Sequence, residues 1–443
     1  ALSAAIGLAI ATTGISRADP VGHTTEDHTA DGGPPLFPGS TFETLVEGPG
    51  RARIVRGLGG AAPLAGRAAR RRSLTYFAQL TDFQLADEES PARVEFVDRG
   101  ASSAWRPQEA LHPWAIDYSF RQLNRFTPAS PHAQAGGAGA PMDFGLLTGD
   151  QSDNQHFNET VWVRRLIEGG TPLTANSGIK SDYAECPLPS RTELLARETA
   201  GELPDEPTYM GVQDYDDLGF QAPDYYDPDE PFGPQFGTWP TWTGLMDRAQ
   251  SLTFTPVGLR RAGEPVPTYA ANGNHDGLVQ GNEDAIRAFE EIATGCSKVA
   301  GSTAAPPVGT QPDPTQLLSP GIGFAVRSDD ARRFVDRVEL KRIYSEGIQR
   351  DAHGFGFVDG AELAPSGFAA TYWARDLKPG IRFISLDTVS EGGVVEQSAT
   401  GNIDDPQWRW LERELDEAEA QGKLVIAFGH HPVRNLTSGV PDE

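Results

Sequence analysis

Cysteine is almost missing from this chain. Its 443 residues hold only Cys186 and Cys296, and neither sits in a CxxC or zinc-knuckle spacing. That excludes a disulfide scaffold and a cysteine-rich zinc site. The two thiols could join in an oxidising compartment or stay apart, and spacing leaves both open. Lysine is scarce too, 5 residues against 32 arginines. With 62 acidic side chains against 37 basic ones the formal charge is −25. So acidic a surface repels phosphate backbones and anionic lipid, which excludes nucleic acid as a partner. No apolar run reaches the length of a membrane span. There is no P-loop, no nucleophile elbow and no internal repeat.

What the chain does have is 49 glycines and 35 prolines on an ordinary globular background of 38% hydrophobic residues. That composition predicts long loops around a compact α/β centre. Ala1 to Ala11 is a short apolar run followed by small residues and Ala18-Asp19-Pro20, the pattern behind a secretory leader. Residues 1–18 are therefore expected to be a clipped export signal, and 19–72 a linker ending in the basic run Arg67 to Arg72. The remaining 73–443 read as one domain with two insertions. These are 170–262, rich in Pro, Asp, Tyr and Trp, and 297–322, rich in Ala, Pro, Gly and Thr; the first is read as a decorated surface loop.

Short apolar runs predict buried strands at Leu74–Leu80, Phe144–Leu147, Thr268–Ala271, Phe383–Leu386 and Leu424–Phe428. Asp405-Pro406 opens a helix whose face is read as Trp408, Leu411, Leu415 and Ala418, with Gly422 as its stop. Polar clusters follow four of the strands: Thr81-Asp82-Phe83-Gln84, Gly149-Asp150-Gln151-Ser152-Asp153-Asn154, Asn272-Gly273-Asn274-His275-Asp276 and Gly429-His430-His431-Pro432. The carboxyl ends of strands in an open α/β sheet are where ligands bind. Carboxylate, amide and imidazole donors meeting there suit Mn, Fe or Zn. Gly149 and Gly273 are expected to let the backbone turn sharply. Each cluster alone is weak; their order, each behind a strand, gives them weight.

That order resembles the calcineurin-like metallophosphoesterase superfamily, whose signature runs Asp-x-His, Gly-Asp-x-x-Asp, Gly-Asn-His-Asp, a His-His-Pro-like segment and Gly-His-x-His. Gly149-Asp150-x-x-Asp153 and Gly273-Asn274-His275-Asp276 match in full. The secreted actinobacterial members with twin-arginine signals and long insertions are the most similar in layout. The resemblance implies two facing mixed β-sheets flanked by helices, and two divalent or trivalent metal ions. It also implies hydrolysis of a small phosphate mono- or diester, outside the cytoplasm, by a metal-activated hydroxide. Carried onto this sequence, Asp82 binds the first metal, Asp150 bridges the pair, and Asn274 and His430 bind the second. His275 is then the general acid, oriented by Asp276. Asp153 braces its loop, while Asn154 and His431 are supporting or substrate contacts.

Two departures stand out. Gln84 replaces the usual histidine, and is either a weaker, harder ligand or only a neighbour of the site. No Gly-His-x-His follows His430 before Glu443, so the chain is expected to lack its last metal motif and to bind metal poorly as it stands. The competing reading is a secreted, non-catalytic binding module on a degenerate fold of the same kind. Among the other histidines, His156 is read as a helix-start or surface residue and His112 as structural.

Overall fold

The structure is a computed structural model that describes residues 24–25, 27–35, 43–52, 65–66, 73–93, 109–131, 139–178, 252–301, 322–389 and 400–436, with single positions 186, 193, 196 and 200. The expected leader at 1–18, the basic run Arg67 to Arg72 and the interiors of both insertions lie outside these. The chain divides into two units, one of residues 1–76 and 125–142, the other of residues 77–124 and 143–443.

In the first unit, strand β1 (His28–Pro35) pairs antiparallel with β2 (Glu43–Pro49). The segment read as a linker thus carries a hairpin. Threonines tie its edges, Thr29 Oγ1 donating to the Pro49 carbonyl and Thr44 Oγ1 to that of Pro34, each at 2.9 Å. Gly and Pro density hid this pairing, because such residues signal turns as readily as strand edges.

The second unit is mixed α/β. Strand β3 (Phe77–Leu80) leads to helix α1 (His112–Leu123), then β4 (Phe144–Leu147) and helix α2 (Phe157–Glu168). A minimal hairpin, β5 (Arg260–Arg261) and β6 (Glu264–Pro265), precedes β7 (Thr268–Ala270), the one-turn helix α3 (Asn274–Gly277) and α4 (Arg287–Ala293). Strands β8 (Ser297–Gly301) and β9 (Ile322–Ala325) pair antiparallel, followed by α5 (Arg337–Ser345) and α6 (Gly360–Leu363). Last come β10 (Trp373–Lys378), β11 (Ile381–Ser385), α7 (Asp405–Ala420) and β12 (Leu424–Phe428).

Two three-stranded sheets carry the architecture. Strands β3, β4 and β7 are all parallel; in the other sheet β10 and β11 are antiparallel while β11 and β12 are parallel. Aromatic side chains join them. Phe383 of β11 meets Phe144 of β4 edge-on at 5.1 Å between ring centroids, and Trp373 of β10 meets Tyr269 of β7 at 5.8 Å. The Trp373 indole N–H donates to the Ala270 carbonyl at 3.2 Å, which anchors a large buried ring at its polar end. Parallel order places the carboxyl ends of β3, β4, β7 and, across the interface, β12 at one edge of the core.

Two sequence expectations shift. Helix α7 is capped by Asp404, whose carboxylate accepts from Gln407 N at 2.8 Å, one residue earlier than read. Its buried stripe is Gln407, Trp410, Leu411 and Ala418, while Trp408 and Leu415 are exposed. Trp410 packs on Tyr372 and Ile384; at 100° per residue, Trp408 lies too far round to share that contact. The insertion at 170–262 is also shorter than read. Leu173 bridges Phe254, and both Leu173 and Leu259 are buried, so its two ends are part of the core. Likewise β8 and β9 claim the ends of 297–322. Cys186 and Cys296 form a disulfide. Among the described residues no helix is long and apolar enough to cross a membrane.

Candidate metal centre

Two loops at the ends of β3 and β4 run side by side. Asp82 N donates to the Gly149 carbonyl at 3.0 Å, Gln84 N to that of Asp150 at 2.9 Å and Leu85 N to that of Gln151 at 3.0 Å. To make this zipper, Asp82 and Asp150 both adopt left-handed backbone, φ 55° each, and Gln84 φ 42°. Aspartate enters that region more easily than most residues, but at a cost of about 1–3 kcal/mol. Gly149 lies at φ +104°, where an added Cβ would come within 2.6 Å of His430 Nδ1. Gly273 is glycine for a different reason than a sharp turn. A Cβ there would fall 2.2 Å from Asp150 Oδ1, so it is close approach that requires glycine.

The loops bring three donors together. One ligand atom each from Asp82, Asp150 and His430 lie within 4.8 Å of one another, a set able to hold a metal ion. His430 Nε2 stands 3.2 Å from Asp150 Oδ2, and His430 Nδ1–H donates to the Thr148 carbonyl at 3.0 Å. That second bond fixes the tautomer that leaves Nε2 facing the carboxylates. Asp150 is buried and Asp82 exposed. Burial lowers the affinity of His430 for a proton, but its hydrogen bond to Asp150 and the charges of Asp150 and Asp82 outweigh that and lift it to about 9. Burial works to raise the Asp150 carboxyl, yet the contacts with His430 and His275 hold it below its usual value. Two carboxylates and an imidazole this close together are donors of the kind that suit a cation such as Mn, Fe or Zn.

Gln84 presents its side-chain Nε2 to Asp150 Oδ2 at 3.4 Å, and its backbone carbonyl accepts from His112 Nδ1 at 3.0 Å. Asn274 donates its Nδ2 to the Gly281 carbonyl at 2.9 Å, which leaves its oxygen as the atom of ligand type. His275 donates its backbone N–H to Asp150 Oδ1 at 2.9 Å.

The structure reverses two assigned roles. His275 Nδ1 donates to the Asp153 carbonyl at 2.7 Å and lies 3.5 Å from the Asp153 carboxylate. Asp276 does not orient His275. Its Oδ1 accepts from Gln151 N, Ser152 N and Ser152 Oγ at 2.9, 2.9 and 3.1 Å, and its Oδ2 from Gly273 N at 3.0 Å. Asp276 therefore ties two loops together, and burial, joined by the Asp150 charge, pushes its carboxyl up to about 6. The spelling of the motif conceals this because neighbours on the one-turn helix α3 point about 100° apart, so His275 and Asp276 reach different partners.

Of the two other candidates, Asn154 is fully buried. Its Oδ1 accepts from Gln280 N at 2.6 Å and its Nδ2 lies 3.0 Å from His156 Nε2. It braces loops and cannot meet a substrate. His431 lies against Thr388 Oγ1 at 2.8 Å and lines, with Thr148, Thr388 and Phe428, a cavity of about 360 Å³; open space is beside it. His156 caps the start of α2, buried rather than on the surface, with Nε2 hydrogen-bonded to Ser90 Oγ at 2.8 Å.

Behind the loops lies a charged layer that the sequence reading missed. Arg93 pairs with Glu109 at 2.6 Å and with Asp153 at 2.9 Å, and Arg332 with Asp87 at 3.1 Å, all of them buried. Apart from Asp153, no motif marks these residues, since each stands alone in the sequence and finds its partner only in the fold. Against known proteins, no family model matches this chain and no curated protein matches it.

Proposed function

We propose that this chain is a metal-dependent phosphoric ester hydrolase acting on a small phosphate mono- or diester, with the fold and two-metal site of the calcineurin-like metallophosphoesterases. One observation carries the reading: Asp82, Asp150 and His430 reach one point from the ends of strands in two different sheets, with His275 hydrogen-bonded to the same Asp150. Asp82, Asp150, His430, the Asn274 oxygen and, more weakly, Gln84 would hold two ions of Mn, Fe or Zn. Bound there, such ions polarise phosphoryl oxygens and activate the attacking water near neutral pH.

The chain's own residues supply the rest. His275 keeps Nδ1–H on the Asp153 carbonyl, which directs its Nε2 to the leaving oxygen and lets it act as the general acid. Asp276 holds the loops of Asp150 and Asn274 in register through four hydrogen bonds. In a chain of charge −25, the cations are also what draws an anionic substrate to the site. The Cys186–Cys296 disulfide supports export to an oxidising compartment.

The test is turnover of p-nitrophenyl phosphate and bis-p-nitrophenyl phosphate by metal-stripped protein reloaded with Mn, Zn or Fe. Metal-restored hydrolysis that vanishes in Asp150→Asn is expected. Metal bound with no turnover of any ester would favour the binding-module reading instead.

A further inference from the structure

Asp153 is buried at 1% exposure and divides its carboxylate. Oδ1 lies 3.5 Å from His275 Nδ1, and Oδ2 lies 2.9 Å from Arg93 Nη1. Arg93 in turn gives Nη2 to Glu109 at 2.6 Å, with both side chains wholly enclosed. The four groups form one line, Glu109–Arg93–Asp153–His275, running from the interior to the site.

A buried ion pair is a poor source of stability, because desolvating the charges offsets most of their attraction. Its stronger effect is geometric. The planar guanidinium holds two carboxylates in fixed directions at once. Without Arg93, Asp153 would lose the guanidinium that now faces its Oδ2 and would turn or take up a proton. Either change would move the carboxylate and the carbonyl of the same residue that His275 leans on.

Resting on the phosphoester reading above, we propose that Arg93, held by Glu109, is a positioning residue that sets the orientation of His275 through Asp153. It touches neither substrate nor metal. Its removal therefore acts on proton delivery to the leaving group and leaves metal binding in place.

The experiment compares two esters of one phosphate, an alkyl phosphate and p-nitrophenyl phosphate, with Arg93→Gln, Arg93→Lys, Glu109→Gln and Asp153→Asn in the full chain. An alkoxide needs a proton as it leaves, whereas p-nitrophenolate hardly does. Arg93→Gln is expected to lower kcat on the alkyl ester roughly 100-fold, the low end of general-acid contributions. The nitrophenyl ester, KM and the number of metals bound should change little, and Arg93→Lys should recover part of the loss. Adding Asp153→Asn to Arg93→Gln should cost little more than either alone. An equal fall on both esters, or loss of metal, would overturn the proposal in favour of a structural role. If Arg93→Gln does not fold, Glu109→Gln probes the same line from its far end. A second readout needs no turnover: ¹⁵N NMR of the His275 ring in Arg93→Lys and Glu109→Gln should show a weakened Nδ1–H bond. An unchanged ring would refute the positioning role, whereas wild-type protein inert toward both esters would count only against the phosphoesterase reading.

Discussion

His430 Nε2 lies 3.2 Å from Asp150 Oδ2, although the first follows β12 in one sheet and the second follows β4 in the other. Removing either should therefore uncouple the two sheets' contributions to metal binding. Asp150→Asn and His430→Ala are each expected to weaken metal affinity by more than the roughly 10–100-fold that loss of a supporting partner costs. Titration calorimetry with Mn or Zn checks this, and wild-type affinity in Asp150→Asn would rule out the site.

Gly149→Ala is expected to fail in two ways. The backbone at φ +104° disfavours a side chain, and the new Cβ would strike His430. Together they predict a stability loss of about 1–3 kcal/mol with displaced His430 and weakened metal binding. A Gly149→Ala protein with the wild-type urea midpoint and metal stoichiometry would contradict both.

Asp276→Asn and Asp153→Asn should separate. Replacing one Asp276 oxygen with an NH₂ sets donor against donor where backbone N–H groups now bond, so stability should fall by about 1–3 kcal/mol and metal affinity with it. Asp153→Asn should act mainly on kcat. Thermal unfolding and kinetics of the pair decide, and a kinetic defect in Asp276→Asn at unchanged stability would restore it as the orienting group.

How far the sequence carries is visible in these residues. Phe144–Leu147 and Leu424–Phe428 are strands over the spans read; the first is wholly buried as expected, but in the second Leu424, Val425 and Ala427 are exposed, because an apolar run marks a strand without telling how much of it is covered. Asp82, Asp150 and His430 were legible as a group because each directly follows such a run. Which acid faces His275 was not, since Asp153 and Asp276 are both in the right motifs and only the turn of α3 distinguishes them. On α7, Leu411 and Ala418 are buried as read, whereas Trp408 and Leu415 are exposed and Gln407 and Trp410 take their places. Arg93 and Glu109 carried no signal at all, as long-range ion pairs leave no local pattern.

Gln84→His asks whether position 84 reaches the metals. Its amide already sits 3.4 Å from Asp150 Oδ2, and imidazole is the stronger donor for Mn, Fe or Zn. Gln84→His should raise affinity for one metal at least tenfold, with Gln84→Ala lowering it slightly. Identical binding by all three proteins would make Gln84 a bystander.

His156 makes stability depend on pH. Burial, aided by the charges of Arg332 and Arg93, pushes it down to about 3 from an ordinary 6.5, against the pull of Asp87 and Asp153. Asn154 Nδ2, an atom that only donates, faces its Nε2 at 3.0 Å, a contact that requires that nitrogen to be unprotonated. The folded pKa lies below the unfolded one, so the unfolded chain takes up a proton first as pH falls. The stabilising contribution is therefore complete above pH 6.5 and lost progressively down to about pH 3, with a slope near 1.4 kcal/mol per pH unit. Urea unfolding of wild type and His156→Gln between pH 7 and 5 isolates this group from the other acids. The variant should start less stable but lose stability more slowly as acid is added, by about one proton's worth of slope; parallel curves would show that His156 takes up its proton equally in the folded and unfolded chain.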